Sequence, residues 1–334
     1  MKRPKLFKVK KEIGNLLKTP ISKVKNVEEH QTGLLSDVIF AKAKGKNIVL
    51  KKKLLKKSYP QNTEKVVLRY LGMRNTKIQP RLLAVSPVAE IQQKVGGNFF
   101  SRKDEKIMAF AKSLKELHSF KFEKFGTFGK GLPRKRGNIK DFFGHWHSAY
   151  TKYTASCVDI FNTAKNCSFT NVWLPKIQKV IRTQPKIIGP YLTKGDNSII
   201  HQDLHKENIL TRGRIAKLVD WDSAKVGDPA LDIANFLNKN NLSAKQQSLF
   251  YKEYGIQKNH FFKKRVESYR SLDLSFHLLT FARAIKGKWG PRATKDIIIH
   301  RMAFSLRKFS ELIEEPLSTE AAEKIVSEVV NELV

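Results

Sequence analysis

Cysteine is nearly absent. The 334 residues hold two, Cys157 and Cys167, which excludes a disulfide framework and offers no cysteine spacing for zinc. No apolar run approaches the length of a membrane span, and the basic N-terminus lacks the continuous apolar stretch of a secretory leader. The expectation is a soluble protein of a reducing cytoplasm. Acids are scarce as well, 30 against 64 lysines and arginines, for a formal net charge of +34. Such a field attracts phosphates, nucleic acid or an anionic membrane without choosing among them. The lysines are spread along the whole chain, so compositional bias accounts for them as readily as a polyanion partner does. No nucleic-acid recognition module or cluster of stacking aromatics accompanies them, and no specific nucleic acid is expected. There is no internal repeat. The 41% hydrophobic content supplies core for one two-lobed domain or for two domains.

What is present is concentrated in one stretch, His201-Gln202-Asp203-Leu204-His205-Lys206-Glu207-Asn208-Ile209-Leu210, followed by Lys217-Leu218-Val219 and then Asp220-Trp221-Asp222. An Asp, an Asn five residues later and a second Asp after a short apolar strand are the base and metal ligands of phosphoryl transfer at kinase spacing. Asp203 is the candidate base, orienting an acceptor hydroxyl and taking its proton late. Asn208 and Asp220 offer the hard oxygens that suit Mg²⁺. An exposed Asp- and Asn-containing turn would not need the apolar brackets Ile199-Ile200, Ile209-Leu210 and Leu218-Val219 on every side. His201 and His205, four apart, lie in a loop without a third ligand. They read as loop support rather than a zinc pair.

Upstream, Val38-Ile39-Phe40 and Ile48-Val49-Leu50 flank a turn at Lys44-Gly45-Lys46-Asn47, a strand–turn–strand pattern. Strand alternation puts Val49 and Lys51 on one face, Val49 under a purine and Lys51 at the nucleotide phosphates. Lys52, one residue on, would face the other way. Glu64 is the candidate ion-pair partner of Lys51, on a helix expected over Tyr59 to Leu71 with Gly72 at its end. Gly33 and Ser36 sit where a phosphate-covering loop belongs. Gly126, Gly129 and Gly131 read as loop turns. Residues 5–18 form an amphipathic helix whose apolar stripe packs on the neighbouring sheet. Strands are expected at Arg81 to Val85 and Val88 to Val95. Asp228-Pro229 opens a helix, and Asp232 within its apolar run braces the 201–208 loop, as Asp222 also does. The fold class is α+β, with residues 1–95 a β-rich nucleotide lobe and residues 96–334 a mostly helical catalytic and substrate lobe.

With Gly227-Asp228-Pro229-Ala-Leu-Asp232-Ile-Ala added to these motifs, the chain resembles the aminoglycoside phosphotransferase and choline kinase-like family over about residues 30 to 240. His205, two residues after the Asp, is typical of that family. The resemblance implies a protein-kinase-like two-lobed fold, ATP (with GTP the alternative) and Mg²⁺, and Gln93 to Val95 as the hinge that binds adenine. It departs where Gln202 replaces a common Gly and Lys206-Glu207 a frequent Pro-Gly. The acceptor would bind the helices over Leu242 to Glu314, where Glu267, Tyr269, Asp273, His277 and Trp289 are candidates. A +34 background moderately opposes polycationic aminoglycosides, although local charge can override the mean, and a neutral or anionic hydroxylated metabolite, such as a sugar or nucleoside-like compound, suits it at least as well. The rival readings are a kinase of a lipid-linked or membrane-surface sugar, and a non-catalytic nucleotide sensor or nucleic-acid binder on the same scaffold.

Overall fold

The computed structural model describes residues 3–30, 36–53, 63–86, 89–128, 131–192, 195–287 and 294–334. Gly33 and Trp289 lie outside them, and Ser36 is described only as the first residue of a strand.

Helix α1 (Arg3–Leu17) is followed by strands β1 (Lys25–His30), β2 (Ser36–Ala43) and β3 (Lys46–Lys53), then helix α2 (Thr63–Met73), β4 (Leu82–Val85) and β5 (Ala89–Gln93). The strands make one antiparallel sheet in the order β1-β2-β3-β5-β4. The turn between β2 and β3 is tight because Lys44 and Gly45 both take positive φ, 49° and 73°, the geometry whose twist matches paired strands. Alternation gives the sheet two unlike faces. Ile39, Ala41, Ile48, Leu50 and Ile91 are buried against Val9 and Ile13 of α1. This is the packing expected of the N-terminal stripe. The opposite face carries Val38, Phe40, Val49, Lys51, Glu90 and Gln92. Helix α2 runs through Gly72 to Met73, correcting the expectation that Gly72 caps it. Its Val67, Leu68 and Leu71 pack into the larger core.

Strand β6 (Asn98–Phe99) precedes α3 (Asp104–His118), then β7 (Lys121–Phe122), β8 (Lys124–Thr127), β9 (Lys135–Arg136), α4 (Ile139–Phe161) and α5 (Leu174–Ile188). Gly126 pairs with Val226 within β8, so it belongs to a strand and not to a loop turn. Then come β10 (Asn197–Ile200), β11 (Ile209–Arg212), β12 (Ile215–Leu218) and β13 (Lys225–Gly227). They form two small sheets, β7-β10-β13-β8-β9 and β12-β11-β6. Helices α6 (Pro229–Asn240), α7 (Ala244–Tyr254), α8 (His260–Ile285), α9 (Lys295–Leu312) and α10 (Thr319–Leu333) complete the chain. Among the described residues this is an α+β arrangement, and no helix is long and apolar enough to cross a membrane.

Helix α6 is buried nearly all round, its asparagines and Asp232 included, with Lys239 alone partly exposed. Ala230, Leu231, Ile233, Ala234 and Phe236 are each fully buried. Its start is fixed by Asp228, whose side chain accepts from the Ala230 amide at 3.0 Å, with Pro229 as the first helical residue. The preceding Gly227 lies so close to Phe142 that a Cβ there would fall 2.4 Å from ring carbons. Gly227→Ala should therefore destabilise the protein by about 1–3 kcal/mol through forced displacement of the ring, read as a lower urea midpoint with an unchanged slope.

Candidate active site

Lys51 leaves β3 on the face away from α1 and reaches a group of acids. Its Nζ lies 2.8 Å from Glu64 Oε2 on α2, 2.5 Å from Asp220 Oδ1 and 3.1 Å from Asp222 Oδ2. Lys52 turns to the other face and meets Glu12 of α1 at 3.1 Å. The one-residue step separates a lysine in the cleft from a lysine on the packing helix. Burial alone would strip the Lys51 proton, but Asp220, Glu64 and Asp222 outweigh it and hold the ammonium well above the ordinary lysine range. Glu64 is buried, yet Lys51 holds its carboxyl down at about 2. Its Oε1 also accepts from Gln92 Nε2 at 3.0 Å and from the Trp221 amide at 3.3 Å.

Two further groups of this cluster were not anticipated. Glu90 stands opposite Lys51 in the β3–β5 register, and Gln92 Nε2 bonds it at 2.7 Å. Burial and then the Glu64 charge push the Glu90 carboxyl well up. Their signal was available: Glu90 and Gln92 are polar residues at alternate positions of a strand, on the face shared with Lys51.

Asp220 adopts a left-handed backbone, φ 64° and ψ 68°, which costs a non-glycine residue about 1–2 kcal/mol. Trp221 next to it is fully buried, and its Nε1 donates to Leu218 O at 2.9 Å. The buried indole anchors the turn, leaving Asp220 and Asp222 directed at Lys51. The Asp220 carboxyl is pushed up, by burial first, with Glu64 and Asp222 adding repulsion that Lys51 only partly offsets. Carboxylate oxygens of Glu64, Asp220 and Asp222 lie within 4.8 Å of one another. Crowded like charges with one lysine among them are chemistry that a divalent cation would relieve. Asn208 spends its amide nitrogen on Asp203 O at 2.9 Å and Asp203 Oδ2 at 3.1 Å. Its side-chain oxygen Oδ1 makes no hydrogen bond among the described residues, while its backbone carbonyl accepts from the Val219 amide at 3.0 Å. The donors present fit Mg²⁺.

The loop carrying Asp203 is held from α6. Asp232, fully buried, accepts the amides of His201 and Gln202, each at 2.7 Å, and lies 3.2 Å from His118 Nε2. Asn235 Oδ1 accepts from the Leu204 amide at 2.9 Å, and Asn240 Nδ2 donates to Leu204 O at 2.7 Å. Gln202 takes φ 68°, which explains why glycine suits this place and shows that a glutamine can be held there. His201 Nε2 meets Val219 O at 3.0 Å while its Nδ1 accepts from the Asp203 amide at 3.3 Å. This pattern needs the neutral ring that burial favours. His205 lies 3.6 Å from Asp203 Oδ2 and 3.1 Å from Glu207 Oε2.

Asp203 is half-exposed, and its Oδ1 is 2.6 Å from Lys239 Nζ on α6, a partner that sequence reasoning missed. Burial would raise the Asp203 carboxyl, but Lys239 and His205 more than offset it and hold it well below the usual carboxylate range. Lys239 lies seven residues after Asp232, on the same helical face.

The hinge and acceptor candidates divide. In the hinge, the Gln93 amide donates to Arg81 O at 2.8 Å and the Lys94 amide to Asn47 O at 2.9 Å, while Val95 makes no such bond among the described residues. On α8, Asp273 accepts from Asn238 Nδ2 at 3.2 Å, and His277 follows one turn later on the same face. Glu267 must be corrected: it is exposed and pairs with Lys264 at 2.9 Å. Six residues before Asp273, it points the other way round the helix. Tyr269 is fully buried in packing with Phe143 and Trp146.

A sheet lysine pinned by a helix glutamate, above a loop bearing Asp203, Asn208 and a left-handed Asp220, defines a protein-kinase-like phosphotransferase fold. The chain belongs to the phosphotransferase enzyme family, whose model matches residues 83–269. It is 33% identical over 92 residues to the Protein LicA homolog of Metamycoplasma hominis, a match covering 25% of this chain and 37% of that relative. The chain thus aligns with well under half the length of that protein. Among solved structures, choline kinase LicA from Streptococcus pneumoniae superposes with a TM-score of 0.63 at 14% identity, over 92% of this chain and 96% of that one. The streptomycin–ATP complex of APH(2″)-IIa gives 0.58 at 18%, over 82% and 89%. At these identities the likeness is one of fold.

Replacing Asp232 would strand two buried backbone donors and a histidine. Asp232→Ala should cost about 3 kcal/mol or more in equilibrium unfolding.

Proposed function

We propose that the protein transfers the γ-phosphoryl group of ATP, with Mg²⁺, to a hydroxyl of a small molecule. Residues 1–95 serve as the nucleotide lobe and residues 96–334 as the catalytic and acceptor lobe. The observation that carries this reading is the convergence of four separate segments on one cleft. Lys51 and Glu64 come from the sheet and α2, and Asp203, Asn208 and Asp220 from two loops of the other lobe. A non-catalytic sensor would have no need of the whole set.

In this mechanism Lys51 binds the nucleotide phosphates, kept charged by Glu64, while Val49 contacts the base and Val95 offers its free hinge amide. Asn208 and Asp220 would hold Mg²⁺, whose chemistry here is to neutralise phosphate charge. Asp203 orients the acceptor hydroxyl. Its oxygen bonds to the γ-phosphorus as the bond from that phosphorus to the β,γ-bridging oxygen breaks, ADP departs, and the hydroxyl proton passes to Asp203. A carboxylate held so far down by Lys239 is a weak base, consistent with late proton transfer in a step ruled by positioning and charge. The solved structures of similar fold are named for choline and streptomycin; here a neutral or anionic hydroxylated acceptor is at least as well suited, since a net charge of +34 opposes the approach of a polycation. The packing of α1 through Val9 and Ile13 leaves no observation favouring a membrane-surface substrate.

Magnesium-dependent ADP release, measured over a panel of amines, aminoglycosides, sugars and hydroxy acids, tests this reading. Asp203→Ala should lower acceptor-stimulated turnover by at least about 10²–10⁴-fold while nucleotide binding stays near wild type; normal turnover by that variant would refute the assignment. The paired lysines give a second check. Lys51→Ala should impair nucleotide use severely, whereas Lys52→Ala, which loses only a surface pair worth about 0–1 kcal/mol, should leave kcat/KM nearly unchanged.

The pH profile carries a sign. Asp203 is ionised from well below pH 4 upward while Lys239 faces it. Lys239→Gln removes that charge, so the carboxyl rises toward its ordinary range. Any acid limb due to Asp203 in kcat/KM should then move to higher pH, and a limb that stayed or moved lower would contradict the pairing.

A further inference from the structure

A cavity of about 1200 Å³ lies apart from the Lys51 cluster; none of Lys51, Glu64, Asp203, Asn208 or Asp220 lines it. One wall is the end of α2, where Leu68, Arg69, Gly72 and Met73 share a face at helical spacing. The second is β4, all four of whose residues line the cavity, while its paired neighbour β5 contributes only Gln93. Among the described residues no strand pairs with the outer edge of β4. The third wall is the β11–β12 hairpin, whose Leu210–Lys217 and Arg212–Ile215 pairs line the cavity while Thr211 and Ala216 are buried. Six cations stand around this space, Arg69, Lys77, Arg81, Lys94, Arg212 and Lys217, and no acid does. Backbone bonds bring them together. The Leu218 amide donates to Ile78 O at 2.6 Å, which joins the Lys77 segment to the Lys217 strand, and the Gln93 amide donates to Arg81 O at 2.8 Å beside Lys94. A Cβ on Gly96 would fall 3.9 Å from a guanidinium nitrogen of Arg212. Lys94 rests over the Phe40 ring at 4.0 Å. The other five cations make no ion pair or side-chain hydrogen bond among the described residues. Met73 and Ile215, which line the same space, are large apolar side chains left 75% and 43% exposed.

A small anion would meet the cations but leave the strand edge and the exposed apolar side chains unused. RNA would meet the charge, yet no aromatic side chain lines the cavity for bases to stack on. An extended peptide answers all three features. Its main chain can pair with the open edge of β4, and its alternate side chains, about 6.6–7 Å apart, divide between the apolar wall and the cations. We infer that this groove takes an acidic extended segment of a partner protein, added as a further strand beside β4. Its carboxylates meet Arg69, Lys77, Arg81, Arg212 and Lys217, and its apolar side chains cover Leu82, Met73 and Ile215. The inference needs neither the catalytic base nor magnesium, so it stands apart from the kinase reading.

The test uses the full chain and a fluorescein-labelled peptide of about ten residues that alternates glutamate with valine, read by anisotropy at physiological salt. The wild type should bind it with a dissociation constant below about 100 μM. N-methylation of every peptide amide keeps the charge and removes the donors a strand needs, and should weaken binding at least about tenfold. Arg81→Glu and Lys217→Glu should weaken it as much, whereas Lys140→Glu, on the exposed start of α4, should not. Thermal melts check that each variant is folded; should Lys217→Glu not fold, Arg69→Glu on the exposed side of α2 takes its place. Asp203→Ala should bind the peptide as the wild type does, so loss of phosphotransfer and loss of this groove are read separately. The inference is overturned if the peptide does not bind, or if its N-methylated form binds equally well, which is charge attraction alone. It is also overturned if the groove variants bind no worse than Lys140→Glu. Tighter binding of a uridylate RNA of equal charge, lost in the same variants, would replace the peptide with a nucleic acid.

Discussion

An ammonium group almost withdrawn from water is stable only if its surroundings replace the lost solvation, and removing one partner of such a set leaves an uncompensated charge. Lys51 is 7% exposed, and the groups that solvate it come from α2 and from the turn after β12. A charge that belongs to the first sheet is thereby completed by an acid from the other side of the cleft. The sheet, the helix and the Asp220 turn take their relative positions from this one requirement. Carboxylates outnumber the ammonium in this cluster, with Glu64, Asp220 and Asp222 all within reach of the one Lys51.

The second organising element is α6. It is enclosed by apolar neighbours, so its polar side chains cannot drift toward water and must bond the backbone of the loop above. Asp232, Asn235 and Asn240 each do so. Its N-terminus is pinned in turn by Arg265, whose guanidinium pairs with Asp228 at 3.0 Å. The Lys51 side of the cleft is thus organised by buried charge, and the Asp203 side by a buried helix that presents Lys239 to it.

The parts legible in the sequence were those written in local pattern. Alternation in β2 and β3 put Lys51 and Val49 on the cleft face, and the Asp-Pro start of α6 was read from two adjacent residues. The Asp203, Asn208 and Asp220 spacing located the centre, since three short-range motifs stand there in a row. Contacts that depend on tertiary approach were not legible. Lys239 resembled any lysine near a helix end until the fold brought it to Asp203. Glu90 resembled a surface strand residue until α2 covered it. Glu267 failed for the opposite reason, because a charged residue at roughly the right distance along α8 sits on the wrong side of a cylinder. The strand pairing of Gly126 escaped notice because its partner, Val226, lies far along the chain.

The loop between His201 and Asn208 does not hold its own shape. The His201, Gln202 and Leu204 amides and the Leu204 carbonyl all bond side chains of α6, so even the left-handed Gln202 is kept in place from outside. A segment whose conformation is stored elsewhere can change its outward side chains without unfolding, and Lys206 and Glu207 are exposed there. The shape of the loop and the identity of its exposed side chains are therefore set by separate parts of the sequence, the one by α6 and the other by the loop itself.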